Sequence, residues 1–91
     1  MAEILIVEDA ALQQMLIRRF IRSTHTVVGC ATTESEAVEL ADEHDPDVVV
    51  MDINLAEGDG IGAARAIKAA NPETGIIMST AVVSDEIKAL A

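Results

Sequence analysis

Aromatic side chains are almost missing from this sequence, which has no Trp, no Tyr and a single phenylalanine, Phe20. Any core must therefore be assembled from Val, Ile, Leu, Met and Ala, and the 51% hydrophobic content is ample for that. The one cysteine, Cys30, excludes an internal disulfide and fits a reducing, cytoplasmic location. No apolar run approaches the roughly 18 residues of a membrane-spanning helix, so no contact with a membrane is expected. Met1-Ala2-Glu3 leads straight into a strand-like run without a signal-peptide pattern. Basic residues are scarce, 6 against 16 acidic ones, for a net charge of −10. That balance disfavours direct nucleic-acid binding, which draws on clustered Lys and Arg. It also suits a high-salt setting, where screening suppresses self-repulsion. Finally, G-x-x-x-x-G-K-[ST], G-x-S-x-G and His/Cys metal spacings are all lacking, so an enzyme with its own turnover is not expected.

What is present is a regular alternation of strand-like and helix-like stretches. Ile4 to Val7 reads as a first strand, and Ala10 to Arg22 as a helix with Leu12, Met15, Leu16 and Phe20 on one face. Arg18, Arg19 and Arg22 gather near its end, where cations suit the helix dipole. Thr26 to Ala31 reads as a second strand. Thr33-Glu34-Ser35-Glu36 has the form of a capping box opening a helix to about His44, which Asp45-Pro46 stops. Val48 to Met51 is a third strand, Gly60 to Ala70 a third helix ended by Asn71-Pro72, and Gly75 to Thr80 a fourth strand. Ser84 can cap a last helix from Asp85 to Ala91.

Continuous Val/Ile runs separated by single helices imply a parallel sheet covered on both faces. The expected fold class is α/β, a doubly wound parallel sheet in a three-layer sandwich. Met15, Met51 and Met78 are expected to fill the core, and Cys30 to be a small buried hydrophobe.

In such a sheet, ligands bind beyond the carboxyl ends of the strands. The first strand delivers Glu8-Asp9 there, the third Asp52 and the fourth Ser79-Thr80. If the first and third strands are neighbours, three carboxylates converge. Two such charges at about 4 Å repel by about 4 kcal/mol at an effective dielectric of 20, so a proton or a cation must compensate them. All-oxygen donors point to Mg²⁺ rather than zinc. A divalent ion beside Asp52 suits phosphoryl transfer, with Asp52 attacking phosphorus and the Thr80 hydroxyl donating to the phosphoryl group. The bland alternative is that an acid after a strand merely caps the next helix, as Asp9 could.

Together, Ile4-Leu5-Ile6-Val7-Glu8-Asp9, Pro46 to Leu55, Asp59-Gly60 and Ile76 to Ala81 make the chain resemble the receiver (response-regulator) domains of two-component signalling. The resemblance runs from Met1 to the end of the chain. It implies that Asp52 accepts a phosphoryl group from a phosphohistidine on a sensor histidine kinase. It also implies that Asp9 is the direct Mg²⁺ ligand, Glu8 a second acid acting through water, and the Asn54 backbone carbonyl a further ligand. Thr80 resembles the switch hydroxyl that signals phosphorylation to a downstream protein partner. The implied fold is flavodoxin-like, with strand order 2-1-3-4.

Three departures accompany the resemblance. Glu8 stands where the family often has Asp. Ala56 and Gly58 replace a frequent Pro and Met, so the loop after Asp52 should be more mobile. The family's fifth strand, with its lysine and aromatic switch residue, and its fifth helix do not follow, so residues 1–91 read as a C-terminally incomplete receiver domain. Lys68 and Lys88 lie on predicted helices away from the strand ends and do not replace that lysine. Weaker phosphoryl acceptance than by a complete domain is expected, as is an exposed edge on the fourth strand through which two copies could pair.

Two rival readings remain. Gly58-x-Gly60-x-x-Ala63 matches the dinucleotide fingerprint G-x-G-x-x-G/A, but five residues separate it from the strand and Asp59 sits where a phosphate would go. These glycines are better read as turning the loop, with Asp59 capping the third helix. The other rival is a phosphorylation-deficient, receiver-like protein-interaction module, which the missing lysine favours and the retained Glu8, Asp9, Asp52 and Thr80 oppose.

Overall fold

The Val/Ile-rich segments pair as four parallel strands, and each of the first three is followed by a helix, as their lengths and end signals require. The computed structural model describes residues 2–52, 55 and 57–78. In chain order the elements are β1 (Glu3–Val7), α1 (Ala11–Arg22), β2 (Thr26–Ala31), α2 (Glu34–His44), β3 (Val48–Met51), α3 (Gly60–Ala70) and β4 (Gly75–Met78). The predicted last helix, and Ser79-Thr80 at the end of the fourth strand, lie outside the described residues.

The sheet order is β2-β1-β3-β4, all parallel, which is the expected doubly wound arrangement. Ile4 to Val7 pair in register with Val48 to Met51. Against β2 the register of β1 shifts between Ile4 and Leu5, giving β2 one extra residue there.

Because side chains alternate across a strand, β1 and β3 supply both faces. Leu5, Val7, Val49 and Met51 point to one side and pack with Ala37 of α2 and with Ala63 and Ile67 of α3. Ile4, Ile6 and Val50 point to the other and pack with Ile17 and Ile21 of α1. Those two faces and the sheet between them are the three layers.

The helix ends follow local chemistry. Thr33 accepts a hydrogen bond from the Glu36 amide at 3.2 Å, but the Glu36 carboxylate reaches back to Thr32 N at 2.8 Å rather than to Thr33, one residue beyond the expected box. Asp45 ends α2 in the left-handed region, at φ 47°. Asp59 caps α3, accepting from Gly62 N at 2.6 Å.

The face assigned to α1 is corrected by the structure. Leu12, Met15, Leu16 and Phe20 are 65%, 50%, 43% and 59% exposed, while Ile17 and Ile21 are buried. Periodicity marks a stripe, but contact with the sheet decides which stripe is covered, and here it is the Ile17–Ile21 line. Met15 is thus not a core residue, whereas Met51 is fully buried. Cys30 is only half-buried and accepts a hydrogen bond from Nη2 of the exposed Arg18 at 2.9 Å.

Candidate functional site

Parallel pairing in register brings the carboxyl ends of β1 and β3 to the same level. Asp52 N donates to Val7 O at 2.8 Å, and Glu8 N donates to Ala31 O at 2.9 Å, so the ladder continues one residue past each strand. The residues just beyond are Glu8, Asp9 and Asp52. Their carboxylate oxygens lie within 4.8 Å of one another.

Asp9 is exposed and is not a cap. The N-cap of α1 is Ala10, which offers no side-chain cap. The structural reason for an acid at this position is therefore removed, and Asp9 is left facing the other two carboxylates. Asp52 is half-buried, so one pocket offers an exposed, a half-buried and a fully buried acid.

Glu8 is the buried one, at 0% exposure. Neither of its carboxyl oxygens has a hydrogen bond of ordinary geometry. Burial foremost, then the facing Asp52 carboxylate, pushes its pKa from 4.5 up to about 8. Asp9 adds a smaller upward push, and the Ala10 backbone amide works in the opposite direction. A buried acid with unpartnered oxygens, beside two more carboxylates, fits a hard divalent cation by the chemistry of its donors. The Glu8 backbone is itself braced, since Gln14 Nε2 donates to Glu8 O at 3.1 Å.

Of the other expected site residues, Asn54 and Thr80 lie outside the described residues. Lys68 lies on α3 and donates to Pro72 O at 3.1 Å, beyond the helix's C-terminal end and away from the carboxylates. His25 and His44 take no part: His25 Nδ1 accepts from Ala2 N at 3.0 Å, and His44 ends α2. The glycines behave as loop formers, with Gly58 at φ +82° and Asp59 the cap that follows.

Glu34 was not singled out by its sequence. Its Oε1 accepts from Asp59 N at 2.9 Å, and its backbone N donates to Glu57 O at 3.0 Å. Glu57 and Asp59 are thus tied to the start of α2, while Ile53, Asn54 and Ala56, earlier in the loop expected to be more mobile, lie outside the described residues. The available signal was the pair Gly58 and Gly62, whose missing side chains leave the room that Glu34 occupies.

Comparison with known proteins places these features in context. The family model described as "Response regulator receiver domain" matches residues 4–91. The chemotaxis protein CheY of Bacillus subtilis is 42% identical over 80 residues, covering 87% of this chain and 67% of CheY. A protein-glutamate methylesterase/protein-glutamine glutaminase of Methanosarcina acetivorans is 39% identical over 88 residues, which are 94% of this chain but 25% of that protein. The response regulator domain of Thermotoga maritima CheB superposes with a TM-score of 0.79 at 40% identity, covering 84% of this chain and 57% of that one.

Proposed function

The chain belongs to the response regulator receiver domain family, and from that premise we propose that it is a phosphoacceptor signalling domain whose acceptor is Asp52. The supporting observation is the convergence of Glu8, Asp9 and Asp52 at the carboxyl ends of the two central strands, with Glu8 fully buried beside Asp52. An array of three carboxylates is self-repelling without a proton or a cation between them.

In this reading Asp52 is the nucleophile. One of its carboxylate oxygens forms a bond to phosphorus as the P–N bond of a sensor-kinase phosphohistidine breaks, and the electron pair leaves with the imidazole. Glu8 and Asp9, with Asp52 and the Asn54 backbone carbonyl, would hold Mg²⁺. Bound there, Mg²⁺ supplies charge neutralisation for the phosphoryl oxygens. Asp9, being exposed, would be open to the cation, and Glu8 would have to release its proton to serve as a ligand. Thr80 supplies the hydroxyl that bonds to the phosphoryl group and passes its presence to a downstream protein partner. The domain is a signalling module without turnover of its own, acting in the cytoplasm. No helix among the described residues is long and apolar enough to cross a membrane. We read residues 1–91 as one receiver domain, the family model matching residues 4–91.

The test is incubation with a small acyl phosphate and Mg²⁺, read by intact-protein mass. One phosphoryl group should add to the wild-type chain and none to Asp52→Asn. Equal labelling of both would remove Asp52 from the role. The interaction-module reading gains one observation, that Lys68 is engaged with Pro72 rather than with the acids. It predicts no labelling of wild type under any Mg²⁺ concentration.

A further inference from the structure

Glu34 opens α2, but its side chain does not belong to α2 alone. The helix α3 has no acidic residue in its own first turn. Glu34 provides that charge from the neighbouring helix, with Oε1 on Asp59 N at 2.9 Å, so one carboxylate serves the positive ends of two helices. Its backbone N–H also holds Glu57 O at 3.0 Å.

Two glycines make the approach feasible. A Cβ at Gly58 would sit 2.5 Å from Glu34 Cβ and 2.6 Å from its Oε1, closer than real carbons come. A Cβ at Gly62 would sit 3.0 Å and 3.1 Å from the two carboxylate oxygens. Glu57, Asp59 and Glu36 surround the site in sequence, in a chain already at −10. A further carboxylate is unfavourable there on charge alone, and the bonds to Asp59 and Glu57 are what offset it.

We propose that Glu34 is a positioning residue for the Asp52 pocket, tying Glu57–Asp59 to the start of α2 so that this tie and occupancy of the pocket are energetically coupled. The proposal rests on Asp52 being the acceptor. Asp52 and Glu57 are close in sequence, and Glu57 and Asp59 are held by Glu34 and by the Asp59 cap of α3. Coupling between two sites is reciprocal. Binding of Mg²⁺ at the carboxylates should therefore strengthen the Glu34–Asp59 bond, and loss of that bond should weaken Mg²⁺ binding.

The test compares Glu34→Gln and Glu34→Ala with wild type, reading Mg²⁺ affinity by calorimetry and hydrogen exchange at the Asp59 amide. Glu34→Gln keeps an accepting oxygen and should remain near wild type in both. Glu34→Ala should expose the Asp59 amide to faster exchange and weaken Mg²⁺ binding about five- to tenfold. In wild type, Mg²⁺ should slow exchange at Asp59. Gly58→Ala gives a second route, independent of how well Glu34→Ala folds: it should weaken Mg²⁺ binding in wild type and do so less when Glu34 is also changed to Gly. Faster exchange with unchanged Mg²⁺ affinity in Glu34→Ala would overturn the coupling and leave the functional reading intact. Absence of Mg²⁺ binding by wild type would overturn both.

Discussion

Glu8 holds its proton to about pH 8 because burial beside Asp52 disfavours its charge. Between its ordinary value of 4.5 and about 8, the folded chain binds a proton that the unfolded chain has released. Stability without metal therefore falls as pH rises through that window and levels off above it. Denaturant titrations across this range should show the decline in wild type and lose it in Glu8→Gln. The metal follows the opposite course. Mg²⁺ must displace the Glu8 proton, so its affinity should climb by about tenfold per pH unit below about pH 8 and then flatten. Calorimetry in buffers of different ionisation enthalpy would count the released proton. A pH-independent affinity would mean that Glu8 stays outside the metal site. Asp9 illustrates how much of this was legible beforehand. Its place after a strand allowed either a cap or a ligand, and only the geometry of Ala10 at the helix start separated them.

Among the elements, the strands were the most readable, because continuous Val and Ile runs admit little besides a sheet buried on both sides. The helices were readable as helices but less so in their orientation. Two stripes on α1 are apolar, and the larger one, Leu12 to Phe20, is the one left exposed. Nothing in a single helix says which stripe its neighbours cover. Ile17→Ala should therefore cost about 2–5 kcal/mol, as expected for a buried truncation, whereas Leu12→Ser should stay within about 0.5 kcal/mol. Thermal or denaturant unfolding of the two variants decides the matter, and the reverse ranking would restore the original face. Asp59→Ala should cost about 1 kcal/mol through loss of the α3 cap. Glu34 was illegible for a different reason: its side-chain partner, Asp59, lies 25 positions away, and no local pattern announces it.

At the level of the whole molecule, charge and edges set the behaviour. With ten net negative charges on 91 residues, mutual repulsion should fall as salt screens it. The melting temperature should rise between about 0.1 M and about 1 M NaCl, where the Debye length shrinks from about 10 Å to about 3 Å; a fall would argue against the high-salt expectation. Among the described residues, β4 pairs only with β3, so its outer edge carries unused backbone groups. We expect self-association through that edge, seen as a mass that grows with concentration in light scattering. A constant monomer mass would dispose of it. Order and fold class were legible from the alternation of strands and helices, but the state of this edge depends on pairing that no strand's own sequence records.

The register of the central pair has a kinetic consequence. Glu3 and Asp47 meet across 44 positions, with α1, β2 and α2 between them. Joining β1 to β3 therefore requires closing a long loop before any of its ladder bonds can repay the entropy. Glu8 and Asp52 come together only when that closure is complete. The pocket therefore depends on a long-range pairing, and a substitution in the intervening α2 that slows this closure should delay the pocket's appearance in refolding without touching a single carboxylate.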